Sequence, residues 1–172
     1  MRRIDLASDC AQCAALCCVA TCFDAGEDFA IDKRASERCM HLADDHRCTI
    51  HGRLVERGFR GCVAYECYGA GPRVTHALAA TSPRERYAAF LSLRVVHELF
   101  WLLVEARKRC VDDALHRELD DRIDVLARIT ERDALDASED VLKSHHDATH
   151  ALLRRVGDTL RAKRALRVVR GQ

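Results

Sequence analysis

Residues 82–109 read SPRERYAAFLSLRVVHELFWLLVEARKR, and this stretch decides the fold. Ser82 suits an N-cap and Pro83 the first helical position, where a missing N–H costs nothing. From there to Arg109 the pattern is helical. Tyr87, Phe90, Leu91, Leu93, Val95, Val96, Leu99, Phe100, Leu102, Leu103 and Val104 make the helix apolar around most of its circumference. The polar stripe of Arg94, Glu98, Glu105 and Lys108 is narrow. A helix this apolar needs cover on several sides.

Two further helices are expected downstream to supply part of that cover. The second begins at Asp112 or Asp113 and carries one apolar stripe: Leu115, Leu119, Ile123, Leu126 and Ile129. The third begins near Asp136, where Asp136 and Glu139 have capping-box spacing. Its apolar side is Leu142, Leu153, Val156, Leu160 and Leu166. Short connections then predict a three-helix antiparallel bundle.

Composition agrees with helices. The chain has 172 residues, of which only 8 are Gly and 2 are Pro, which argues against a β-sandwich or barrel. Twenty-eight basic residues balance 27 acidic ones, so a strongly basic nucleic-acid binder and an acidic disordered tail are poor fits.

Upstream of the bundle the chain changes character. Nine of the 10 Cys lie within the first 67 residues: Cys10, Cys13, Cys17, Cys18, Cys22, Cys39, Cys48, Cys62 and Cys67, with Cys110 alone beyond. Core packing does not require such clustering, so these thiols are cross-linked or bind metal. A break near residues 69–72 (GAGP) divides a cysteine module, 1–70, from the helical part, 71–172. Residues 8–23 suit a helix or a turn leading into one, with Cys10, Cys13 and Cys17 on one face and Cys18 about 100° away. Residues 26–69 read as loops and short turns pinned by cysteines.

Compartment separates disulfides from metal. The apolar run 10–23 superficially suits a signal peptide, but Asp5 and Asp9 precede it, and five Cys and Gln12 interrupt it. It is also too short to span a bilayer. A cytoplasmic protein is therefore expected, away from any membrane. In a reducing cytosol clustered cysteines point to metal or redox chemistry. Thiolates are soft anionic ligands, and four of them close a zinc site or hold an iron–sulfur cluster. The adjacent pair Cys17 and Cys18 diverges, which hints at two metal sites or at two irons of one cluster.

The motif is Cys10-Ala-Gln-Cys13-Ala-Ala-Leu-Cys17-Cys18, then Cys39-Met-His-Leu42, Cys48-Thr-Ile-His51 and Cys62-Val-Ala-Tyr-Glu-Cys67. It resembles the zinc- or iron-chelating cysteine-cluster proteins of the YkgJ type. Asp28-Phe-Ala-Ile-Asp32 and Tyr68-Gly-Ala-Gly71 are similar to an actinobacterial-like branch of that family. The resemblance runs from residue 10 to about residue 76. It implies eight ligands: Cys10, Cys13, Cys17, Cys18, Cys39, Cys48, Cys62 and Cys67. It implies no single activity. Two departures stand out. Glu56-Arg57-Gly58-Phe59 replaces a basic-Pro pair, and Cys22 is an extra thiol outside the motif.

Zinc is the expected metal, with iron or an iron–sulfur cluster as the alternative. Eight thiols suffice to close two zinc sites, so a structural or partner-binding role, with an unknown protein as partner, ranks ahead of redox transfer or an enzyme with an open metal position. His41, His46 and His51 lie inside the cluster region and could replace a thiolate, although a solvated or hydrogen-bonding role is the simpler reading. His146-Asp147-Ala-Thr-His150 and Asp113-x2-His116 have metal-ligand spacing on helices, yet a polar helix face explains them. The basic run 154–170 lacks aromatic interleaving, so nucleic-acid binding is not expected. No Walker loop, nucleophile elbow or haem-attachment motif occurs. Finally, the cysteine module is expected to dock on the bundle near His97 and Trp101, through Phe29, Ile31, Leu42, Ile50, Leu54 and Phe59.

Overall fold

The computed structural model describes residues 4–132 and 138–169. The protein is mainly helical. Among the described residues there are six α-helices and no strand: α1 (Leu16–Ala20), α2 (Arg60–Ala64), α3 (Ala70–Ala77), α4 (Pro83–Arg109), α5 (Asp113–Arg132) and α6 (Glu139–Val169). The chain divides into two compact units. One is Asp5–Arg94, and the other runs from Val95 onward together with Ile4. The division falls inside α4.

In the unit Asp5–Arg94, Asp9 caps a single 3-10 turn, Cys10–Gln12, by accepting from the Ala11 N–H (2.8 Å). Ala15 then adopts φ +53, a left-handed conformation that breaks the path before α1. Cys10, Cys13 and Cys17 therefore do not share one helical face. Loops follow, pinned by two isolated antiparallel bridges, Phe23 with Lys33 and Leu42 with Cys48. Their core is aromatic. Phe23 and Phe29 stack at 4.1 Å, and Phe59 meets both edge-on. Ile50, Leu54 and Phe59 are buried against Phe23, Phe29, Ile31 and Cys48. Most of the residues expected to face a neighbouring bundle thus pack on one another, because three rings gathered by tight turns already make a small core.

Residues 69–72, expected as a break, open a helix instead. Gly69 turns at φ +75, and a Cβ there would lie 2.6 Å from the Asp5 carbonyl oxygen, so only glycine fits. Thr75 on α3 accepts from the Ala14 N–H (3.0 Å) and donates to the Gly71 carbonyl (2.9 Å), which ties α3 to the chain just before α1. The start of α4 is a capping box. Glu85 accepts from the Ser82 N–H (2.9 Å) and hydroxyl (2.7 Å), while its own N–H donates to Ser82 Oγ (3.3 Å). Ala89, Phe90 and Leu93 are buried. The Arg94 guanidinium lies over the Tyr65 ring at 5.4 Å.

In the second unit α4 contributes the buried Val96, His97, Leu99, Phe100 and Leu103. Trp101 remains 39% exposed. Asp112 caps α5 by accepting from the Leu115 N–H (2.9 Å). Leu115, Leu119, Ile123 and Leu126 are buried as their spacing predicts, but the stripe ends on Ala127 and Thr130 rather than Ile129. Thr130 satisfies its hydroxyl on the Leu126 carbonyl (3.0 Å). α5 and α6 run antiparallel. Glu118 accepts both Arg155 nitrogens, and Arg122, one turn later, donates back to Thr149 and His145. Thr149, Leu152 and Val156 form the buried side of α6, so Leu152 takes the place expected of Leu153. Ser138 begins the helix, its Oγ accepting from the Val141 N–H (3.4 Å). The expected cap Asp136 lies outside the described residues, as does the side chain of Leu166.

α4 is long and apolar enough to cross a membrane by length and composition, with a mean hydropathy of 1.5 over its most apolar window. The core helix of a globular unit passes the same test.

Candidate metal centre

All eight cysteines of the motif lie in the unit Asp5–Arg94, and all ten cysteines of the chain are free thiols. Local structure brings the eight into two neighbourhoods. In the first, the 3-10 turn presents Cys10, the extended residue after it presents Cys13, and the loop before α3 presents Cys67. Gly71 sits against both of the latter. A Cβ on Gly71 would lie 2.7 Å from Cys13 Sγ and 3.6 Å from Cys67 Sγ. Ser8 Oγ is 2.9 Å from Cys67 Sγ and also donates to Glu66. Cys17, in the first turn of α1, is raised by its contact with Cys18, by burial and by the charges of Cys18, Cys13 and Cys10. Burial, then the charges of Cys13 and Cys67, push the Cys10 thiol up, and burial raises Cys13.

The second neighbourhood holds Cys18, Cys39, Cys48 and Cys62. The Cys39 N–H donates to the Cys18 carbonyl (3.0 Å), and the Leu42–Cys48 bridge carries Cys48 back beside Cys39. Burial, followed by the charges of Cys18, Cys39 and Cys48, pushes Cys62 up to about 11. Cys48 is raised by burial, with Cys18 and Cys39 adding to it. Cys17 and Cys18 join the two groups, their sulfurs 3.9 Å apart. The pair shares a proton unequally. Cys17 is held well up by its contact with Cys18 and by burial, whereas Cys18 is lowered by the Cys17 hydrogen bond and by the Lys33 ammonium.

Lys33 is the polar residue that sequence reasoning missed. It is buried to 5% exposure, and its Nζ donates to the carbonyls of Thr21 (2.5 Å) and Arg34 (3.2 Å). The ring of Phe23 lies 5.8 Å away. A lysine in a loop gives no sequence signal of burial, because only the Phe23–Lys33 bridge turns it inward.

The chain resembles YybG of Bacillus subtilis (strain 168). It is 35% identical over 134 residues to that uncharacterized protein, a match covering 73% of this chain and 48% of YybG. The chain therefore spans about half the length of the curated relative it matches. No family model matches the chain, and no solved structure matches it.

Among the described residues, no three His, Cys, Asp or Glu side chains converge closely enough to hold an ion as they stand. What suits the unit to a metal is the chemistry of its donor set, soft thiols of which four close a tetrahedral site. The histidines do not join either group. His41 packs edge-on against Phe59 at 5.1 Å, and His46 and His51 are exposed. On α6, His146 and His150 lie 4.2 Å apart between ring centroids, with His146 beside Asp147, and Lys143 also pairs with Asp147. His116 sits 3.6 Å from Asp120 rather than serving Asp113. Within the basic run, Arg155 and Arg161 are paired with Glu118 and Asp158.

Proposed function

We propose that this is a zinc-binding cysteine-cluster protein of the YkgJ type. Metal would hold the unit Asp5–Arg94 in shape as a cytoplasmic partner-recognition module rather than turn over a substrate. One observation carries the reading. The eight motif cysteines, spread over residues 10–67, fall in a single compact unit, where neighbouring thiols act on one another's protonation. Four thiolates close a zinc site and leave no position for substrate, which favours structure over catalysis. Binding would also release the protons that burial holds on these thiols.

A partner-binding role is supported by large apolar side chains exposed in the same unit, namely Met40, Val55 and Val63. In the same reading α4, α5 and α6 make the three-helix antiparallel bundle, for which the α5–α6 register is the support. Elemental analysis after anaerobic purification tests the proposal. Two zinc ions per chain, with only Cys22 and Cys110 open to a thiol reagent, are expected. A folded, metal-free protein with all ten thiols titratable overturns it. A brown protein with broad visible absorption would replace zinc by an iron–sulfur cluster.

A further inference from the structure

We propose that Arg122 and His145 form an acid-sensitive clasp between α5 and α6: a neutral imidazole fastens the first half of α6, and one added proton opens it. The clasp lies in the unit from Val95 onward and does not depend on the zinc reading. Arg122, half-buried on α5, directs its donors to neutral acceptors. Its Nε donates to Thr149 Oγ1 (3.2 Å), and Nη2 donates to the His145 carbonyl (2.8 Å) and to His145 Nδ1 (2.8 Å). A guanidinium offers no acceptor and keeps its proton, so Nδ1 is the unprotonated nitrogen of the ring. Thr149 is fully buried, which sets the joint at the edge of the core between the two helices. Protonation of Nδ1 turns the acceptor into a donor and brings a second cation against the guanidinium.

The surroundings make the ring responsive. Among the described residues, the charge that bears on it is that of Arg122; burial first, then this charge, holds the imidazole below its usual range. On α5, Glu118 is taken by Arg155, Asp121 and Arg128 are exposed, and Asp124 lies about 200° round the helix from Arg122. On α6, the residues one turn from His145 are Val141, Leu142, Ala148 and Thr149, none of them charged, while His146 turns to Asp147 and His150. The folded chain therefore takes this proton less readily than the unfolded one. The stability that the clasp contributes is present above the ordinary value of about 6.5 and is lost as pH falls below it. The other clasp on this seam behaves differently. Glu118 is held below the usual carboxylate range by Arg155, so that ion pair stays charged where a histidine titrates. Acid should open the seam at one end, around residues 141–149, and leave 152–159 fastened.

Hydrogen exchange of the full chain at about pH 7.5 and about pH 5, corrected for intrinsic rates, reads the clasp segment by segment. Protection across 141–149 should fall roughly 10-fold or more at the lower pH, the scale of losing a hydrogen bond to a charged group, while 152–159 holds. Acid also competes with metal for thiolates, so the controls leave the cysteines untouched. His145→Gln keeps an oxygen that accepts from Arg122 and cannot titrate; it should abolish the loss. His146→Gln, one residue along, should leave the loss in place. An NMR titration of the His145 ring in the wild type needs no variant to fold, and its midpoint should lie below the ordinary value. Equal protection of 141–149 at the two pH values overturns the clasp. So does a loss that persists in His145→Gln, or a His145 midpoint at or above about 6.5.

Discussion

At the scale of single residues, the two glycines beside the cysteines do different work. Gly69 is fixed by backbone conformation, whereas Gly71 is fixed by sulfur. A methyl group on Gly71 would press on Cys13 Sγ at 2.7 Å, and the thiol would have to rotate away. On the two-zinc reading proposed above, Gly71→Ala should therefore lower zinc from two ions per chain to one, by disturbing the site that takes Cys13. Full retention of both ions would separate Gly71 from that site. The thiols also set a pH dependence for the metal-free chain. Cys10, Cys13, Cys17, Cys48 and Cys62 are all raised above the ordinary 9.0, Cys62 to about 11, and Cys18 alone is lowered. A raised group supports the fold below its unfolded pKa and ceases to as pH climbs through the folded value. The lowered Cys18 acts in the opposite sense, adding stability above its unfolded value and losing it as pH falls, but it is outnumbered. The metal-free protein should thus lose stability above about pH 9. The zinc form should not, since its thiolates are already deprotonated. Parallel melting curves with and without zinc between pH 7 and 10 check the difference, and matching alkaline losses would refute it.

Among the elements, those with a strong period were legible and those made by single turns were not. α4 and α5 start where Ser82 and Asp112 said they would, because capping chemistry is local and needs no tertiary information. α3 was hidden by Gly69, Gly71 and Pro72, which read as a break, although a left-handed Gly69 can open a helix and a proline is tolerated in its first turn. The path through Cys10 and Cys17 was misjudged as a shared face because nothing in Ala15 announces its positive φ. The eight motif cysteines could be read as one constellation, yet which thiols neighbour one another depends on where loops return, which spacing alone does not encode. The aromatic core of the cysteine unit was likewise unseen, since Phe23, Phe29 and Phe59 are far apart in sequence. That core carries its own prediction. Gly61 faces the tip of the Phe29 ring so closely that a Cβ would lie 2.2 Å from it, and the ring is held by its stack on Phe23. Gly61→Ala should cost about 1–3 kcal/mol of stability by overpacking. A urea unfolding curve reads this directly, and an unchanged midpoint would mean the ring swings aside freely.

For the molecule as a whole, the decisive feature is that one helix belongs to both compact units. Ala89, Phe90 and Leu93 of α4 are buried and belong to the unit that carries the cysteines, and the buried Val96, Leu99 and Leu103 belong to the other. Outside α4 the cysteine unit has only helices of five to eight residues. Helical pieces this short do not persist in water without packing, and even about 12–15 residues are marginal. If metal holds the loops, its removal takes away the surface on which α1, α2, α3 and the first half of α4 rest. α5 and α6 keep their mutual contacts and should survive. Adding a strong chelator to the zinc-loaded protein should then lower the helical circular dichroism partway and not abolish it. The starting level is well above the ordinary third, with about 62% of the described residues helical. Trp101 reports from α4 just beyond the division, being the sole Trp and already 39% exposed. Its emission should shift to the red as the helix frays toward it from the N-terminal side. Complete metal removal that leaves both signals unchanged would show that residues 5–94 keep their fold on the aromatic core alone, and the structural role assigned to the metal would fall.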